Sequence, residues 1–118
     1  MTPEDFGIKG YTWNPDKTLS VKGDVNLSYK NLKVIPFKFK EVSGRFDCSY
    51  NKLKSLEGAP IEVGGWFACR YNQLKSLEGA PQKIGGDFVC NNNPKKFTIE
   101  EIKYAMRPTN TIEFIKSL

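Results

Sequence analysis

The sequence predicts a small, mostly β solenoid of about four parallel rungs, with a β-hairpin capping its N-terminal end and a helical segment capping its C-terminal end. Three observations predict it. Eight consecutive residues, Leu53–Pro60 (LKSLEGAP), recur unchanged as Leu74–Pro81, 21 positions later. The same offset aligns Phe46, Phe67 and Phe88, then Cys48, Cys69 and Cys90, then Asn51, Asn72 and Asn93. Gly44, Gly65 and Gly86 share it, as do Val63 and Ile84, and a weaker copy runs ahead of them with Gly23, Val25, Leu27, Leu32, Ile35 and Val42. No single unit can bury its apolar face alone, so each rung depends on its neighbours.

The 118 residues form one domain with three segments. Residues 1–22 contain the N-terminal cap: YTWNPDKTLSV (residues 11–21) reads as strand, Asn-Pro-Asp-Lys turn, strand. Residues 23–94 carry the repeats, whose units start near Gly23, Gly44, Gly65 and Gly86; the last is truncated, with Lys95 in the leucine position. In each unit, Phe-x-Cys alternates apolar and other residues, as a short strand with one buried face does. An inward asparagine follows and can bond backbone groups that the bend leaves without partners. Leu53 and Leu56, and Leu74 and Leu77, return the chain along the core floor. Glu-Gly-Ala-Pro breaks structure, and the glycine pairs Gly64-Gly65 and Gly85-Gly86 are expected to supply tight packing and unusual backbone angles before the next strand. Residues 95–118 form the helical cap, with Thr98 and Glu101 as a capping box, Pro108 as the stop, and a second helical turn at Ile112, Ile115 and Leu118.

Composition narrows the function. There is no histidine, which removes the usual general base, metal ligand and pH switch. The three cysteines lack the close spacing of a metal site, and their odd number argues against a closed disulfide framework. Stacked at one inward position, they read as small core residues. Glu57 and Glu78 share one repeat position in a solvated turn. No catalytic constellation or phosphate-binding loop stands out, so neither an enzyme nor a cofactor is expected. The net charge of +5 is carried by scattered lysines, with brief densities at Lys38–Lys40, Lys52–Lys54 and Lys95–Lys96. That reads as a solvated surface before it reads as a nucleic-acid footprint. No stretch suits a membrane span or a signal peptide, which points to the cytoplasm.

The pattern F-x-C-x-x-N-x-L-x-x-L-x-x-x-P-x-x-V resembles the leucine-rich repeat, and is close to the short bacterial version found in secreted effectors. It resembles more closely the small repeat proteins of tailed bacteriophages. The residues that carry this likeness are Gly23-Asp24-Val25-Asn26-Leu27-Ser28, the SLEGAP block, the GG-x-F-x-C strand and the helix opening Phe97-Thr98, over roughly residues 11–106. The resemblance implies a leucine-rich-repeat-type solenoid and a viral source, hence the host cytoplasm, and supplies no enzymatic residue. The first rung departs from the pattern, with Lys30 where asparagine is expected and Asn31 displaced by one, so the asparagine ladder is expected to stop short of that rung.

Residues between and after the inward ones should point outward in columns: Asn26, Asp47, Ala68, Val89; Ser28, Ser49, Arg70, Asn91; and Tyr29, Tyr50, Tyr71, Asn92. Arg45, Trp66 and Asp87 line up ahead of them. Tyrosine, tryptophan and arginine combine large contact area with a directed polar group, as binding hot spots require. The candidate binding residues are therefore Trp66, Arg70, Tyr71, Tyr50, Arg45, Asp47, Tyr29 and Asp87. A tyrosine ladder that packs only on itself is the alternative. The expected partner is a bacterial host protein, bound and inhibited or redirected by a phage accessory protein that is a monomer or weak homo-oligomer. Nucleic-acid binding on a basic, aromatic face and a structural role in the virion are the competing readings.

Overall fold

The computed structural model describes residues 1–106. Pro108 and the helical turn expected at Ile112–Leu118 lie outside the described residues. The molecule is a mostly β solenoid of about three turns with a short C-terminal helix.

The chain opens with a 3-10 helix, Pro3–Phe6, capped reciprocally by Thr2 and Asp5. Ile8 then drops into the core, 1% exposed. Strand β1 (Tyr11–Trp13) pairs antiparallel with β2 (Leu19–Val21), Tyr11 opposite Val21 and Trp13 opposite Leu19. From there the chain winds in one sense and every further pairing is parallel. Strands β3 (Val25–Asn26), β5 (Phe46–Asp47), β7 (Phe67–Ala68) and β9 (Phe88–Val89) stack in that order into one sheet. Their register follows the repeat: Val25, Phe46, Phe67 and Phe88 are successive partners. The ladder runs past the short strands, since the N–H of Cys48 donates to the carbonyl of Ala68 at 2.9 Å and that of Tyr50 to Arg70 at 3.0 Å.

A second sheet departs from the expectation of one strand per repeat. Strands β4 (Phe39–Val42), β6 (Glu62–Val63) and β8 (Lys83–Ile84) continue from β2, giving the order β1-β2-β4-β6-β8. Val21, Val42, Val63 and Ile84 form its inward row. Two-residue strands such as Glu62–Val63 are too short to show alternation, so only the recurring branched residue marks them. Phe46, Phe67, Cys48, Cys69, Leu53, Leu56 and Leu74 are all fully buried between the two sheets and the returning leucine floor.

The glycine pairs require a correction. Gly64, Gly65, Gly85 and Gly86 do not have positive φ; that conformation belongs instead to Gly58 (95°) and Gly79 (90°) in the Glu-Gly-Ala-Pro turns. The pairs are needed for close approach. A β-carbon on Gly64 would strike the Ser43 carbonyl oxygen, and one on Gly85 that of Gly64.

The asparagines tie the rungs together. Asn72 Nδ2 donates to the carbonyls of Cys48 (3.0 Å) and Cys69 (3.2 Å), while its Oδ1 accepts from the Leu53 N–H at 3.0 Å. Asn93 repeats this with Cys69, Cys90 and Leu74. Asn51 serves Leu27, Cys48, Lys30 and Leu32. The first rung contributes no such asparagine, as the displaced Asn31 foretold, and Asn31 is exposed.

Helix α1 (Ile99–Met106) starts with the expected box: the Glu101 N–H donates to Thr98 Oγ1 at 3.2 Å, and the Thr98 N–H to Glu101 Oε1 at 3.1 Å. Phe97, Ile102 and Ala105 pack against the end of the core, whereas Ile99 and Tyr104 are exposed.

Candidate binding face

The outer face of the β3-β5-β7-β9 sheet and the bend after it bring together the residues singled out above. The first column is Asp24, Arg45, Trp66 and Asp87, one per rung. The Arg45 guanidinium bonds the Asp24 carboxylate at 2.9 Å, and the Arg45 backbone N–H donates to the other oxygen at 2.8 Å. This partner holds the Asp24 carboxyl below the usual carboxylate range. The same guanidinium lies 5.4 Å from the Trp66 ring centre, a cation–π contact. Asp24 is the site residue that the sequence reading missed, although stepping back 21 positions from Arg45 reaches it.

The tyrosines form a continuous stack. Tyr29 and Tyr50 lie 4.3 Å apart and 12° from parallel, Tyr50 and Tyr71 4.6 Å and 9°. The rings pack on one another, as the self-packing alternative expects, yet Tyr29 remains 73% and Tyr71 44% exposed. Partial loss of water against the stack, then the neighbouring Tyr50 hydroxyl, raises the Tyr29 hydroxyl above its ordinary pKa. Arg70 lies over the middle ring, 5.7 Å from the Tyr50 centre.

The backbone under the stack is unusual. Tyr29, Tyr50, Tyr71 and Asn92 all adopt the left-handed conformation, with φ of 57°, 58°, 55° and 61°. Asparagine is at home there, whereas a bulky side chain is an outlier that costs on the order of 1 kcal/mol. Three of the four positions nevertheless carry the large ring.

Two members of the outward columns are not exposed. Ser49 is 1% and Ala68 4% accessible. Both are short side chains, and Ala68 stands between Trp66 and Arg70 along its strand. The Ser49 hydroxyl has no hydrogen-bond partner, while its backbone N–H is held by Asp47 at 2.9 Å. Ser28, one rung earlier, satisfies its hydroxyl on Asn26 at 2.5 Å. Asp87 is exposed at the last rung.

The cysteines stand where the core reading places them. Cys48 and Cys69 are fully buried and Cys90, just past the last strand, is half-buried; all three are free thiols. Burial raises the pKa of each. Among the described residues no cluster suits a metal ion, and no helix is long and apolar enough to cross a membrane.

The class of protein that fold and face define is a small β solenoid with an aromatic and charged strand face. Comparison of the chain with protein-family models, with curated proteins and with solved structures finds no match.

Proposed function

We propose that the chain is a leucine-rich-repeat-type solenoid of four rungs, with β1 and β2 as its hairpin cap, that acts as a non-enzymatic protein-binding module. Its partner on this reading is a bacterial host protein that a phage accessory protein inhibits or redirects in the host cytoplasm. The observation that carries the binding role is the tyrosine column. A left-handed site that asparagine fills without strain at Asn92 is filled at three rungs by tyrosine, exposed at Tyr29 and Tyr71 and half-buried at Tyr50. Asparagine and a stacked ring serve the fold about equally there, stacking offsetting strain; a contact surface adds a reason for the ring.

The strand face alone measures about 15 by 15 Å at the rung spacing of a sheet. A stable interface wants about 800 Å² per partner. The partner therefore continues around the bend onto the tyrosine edges. The competing nucleic-acid reading draws on the net charge of +5. It is disfavoured because the tyrosine faces already stack on each other, which removes platforms for bases.

The test is affinity capture with two baits, wild type and Trp66→Ala/Arg70→Glu. The expected outcome is one or more host proteins held by wild type and lost from the variant. Identical captured proteins from both baits would overturn the face, and capture of nucleic acid alone would favour the competing reading.

A further inference from the structure

We infer that the return side of the rungs, around the bend from the tyrosine stack, is a second docking surface, built for an acidic segment of a protein. Lys33, Lys54, Lys75 and Lys96 occupy one repeat position, 21 residues apart, and all are exposed. Backbone register makes the first three neighbours: the Lys52 N–H donates to the Leu32 carbonyl at 2.7 Å and the Gln73 N–H to that of Leu53 at 2.9 Å. Lys54 and Lys75 line one shallow cleft with Gln73 and Pro94.

Like charges held side by side on successive turns repel. Among the described residues the ion pairs are Arg45–Asp24 and Lys95–Glu101, and neither relieves this column. The position after the strands, Tyr29, Tyr50 and Tyr71, changes to Asn92 at the last rung, but this one is lysine in all four copies. Lys75 shares a cleft with Glu78, Glu100 and Glu101 but closes no ion pair with them, so the column stays open to external anions and raises their local concentration.

The charge pattern selects a polypeptide over a nucleic acid. Three residues beyond Lys54 and Lys75 stand Glu57 and Glu78, both exposed, forming a second column parallel to the first. A uniformly anionic phosphate backbone is repelled by that column. A protein segment with a carboxylate row and cations beside it matches both, and the pairing fixes its register. This surface is separate from the strand face, and neither reading requires the other.

Fluorescence anisotropy with the full chain tests it, using a labelled oligoglutamate peptide that carries a short lysine tract, and labelled oligothymidylate. The peptide is expected to bind, with affinity falling about tenfold or more in Lys54→Glu/Lys75→Glu. Lys22→Glu/Lys83→Glu, which removes the same charge from another side, is expected to leave it unchanged, as is Trp66→Ala/Arg70→Glu. Thermal melting confirms that each variant is folded, and Lys54→Gln/Lys75→Gln replaces any that is not. Equal losses in the two lysine variants, absence of peptide binding, or tighter binding of oligothymidylate would overturn the inference.

Discussion

The ring of Tyr71 lies flat on that of Tyr50, 4.6 Å away and 9° from parallel, although the backbone beneath each is left-handed. Stacking contributes about 1 kcal/mol and the backbone conformation costs about the same. Tyr71→Asn gives up the stack and relieves the strain, so its unfolding free energy should stay within about 1 kcal/mol of wild type. Tyr71→Ala gives up the stack and keeps the strain, and should be less stable than the asparagine variant by about 1 kcal/mol. Urea denaturation of the three proteins measures the order; alanine above asparagine would contradict it.

Asn72 is buried and serves both its own rung and the one before it. Asn72→Ala leaves the Leu53 N–H without its partner and removes one of two asparagine bonds to each of the Cys48 and Cys69 carbonyls, which keep Asn51 and Asn93. The expected loss is about 2–4 kcal/mol, seen as a lower urea midpoint. Asn72→Asp keeps the acceptor for Leu53 but loses the donated bonds to Cys48, Cys69 and Arg70 and buries a charge, so it should be no better than alanine.

Gly64 and Gly85 are packing glycines, so alanine at either forces the rungs apart rather than straining φ. A destabilisation of about 1–3 kcal/mol is expected for each. A crystal structure of a surviving variant should show widening between Ser43 and Gly64, or between Gly64 and Gly85. Unchanged stability would mean that the close approach is softer than the geometry requires.

Thiol chemistry should distinguish the three cysteines. Cys48 and Cys69 are inaccessible and their thiols are held protonated by burial, while Cys90 is only half-buried. In the native protein an aromatic disulfide reagent should label Cys90 first and the other two only on unfolding. The sign of the pH dependence follows from the raised values. Below the ordinary thiol value of 9.0 the buried thiols are neutral in both states and their contribution is intact. As pH rises above it the unfolded thiols ionise and the folded ones do not, so stability falls. Alkaline titration of the melting temperature should show this decline, and Cys48→Ala/Cys69→Ala should flatten it.

Much of this was legible in the residues. The identity of Leu53–Pro60 and Leu74–Pro81 fixes the period, and the inward phenylalanine, cysteine and leucine columns follow from alternation within it. Thr98 and Glu101 announced the helix because a capping box is a local signal. The second sheet was not legible, since strands of two residues carry no periodic signature. The partnership of Arg45 with Asp24 was missed because the first rung matches the repeat weakly. The left-handed tyrosines were hidden for the opposite reason: tyrosine has no preference for that conformation, and only Asn92 in the same column hinted at it. The burial of Ser49 depends on neighbours from other rungs, which alternation along one strand does not report.

The asparagine bonds run in one direction along the chain. Asn51 reaches back to Leu27 and Lys30, Asn72 to Cys48 and Leu53, and Asn93 to Cys69 and Leu74. Each rung is latched by the one made after it. A chain cut between Asn51 and Asn72 would thus keep its first rung latched and leave its second open, so the fold is closed from its C-terminal side.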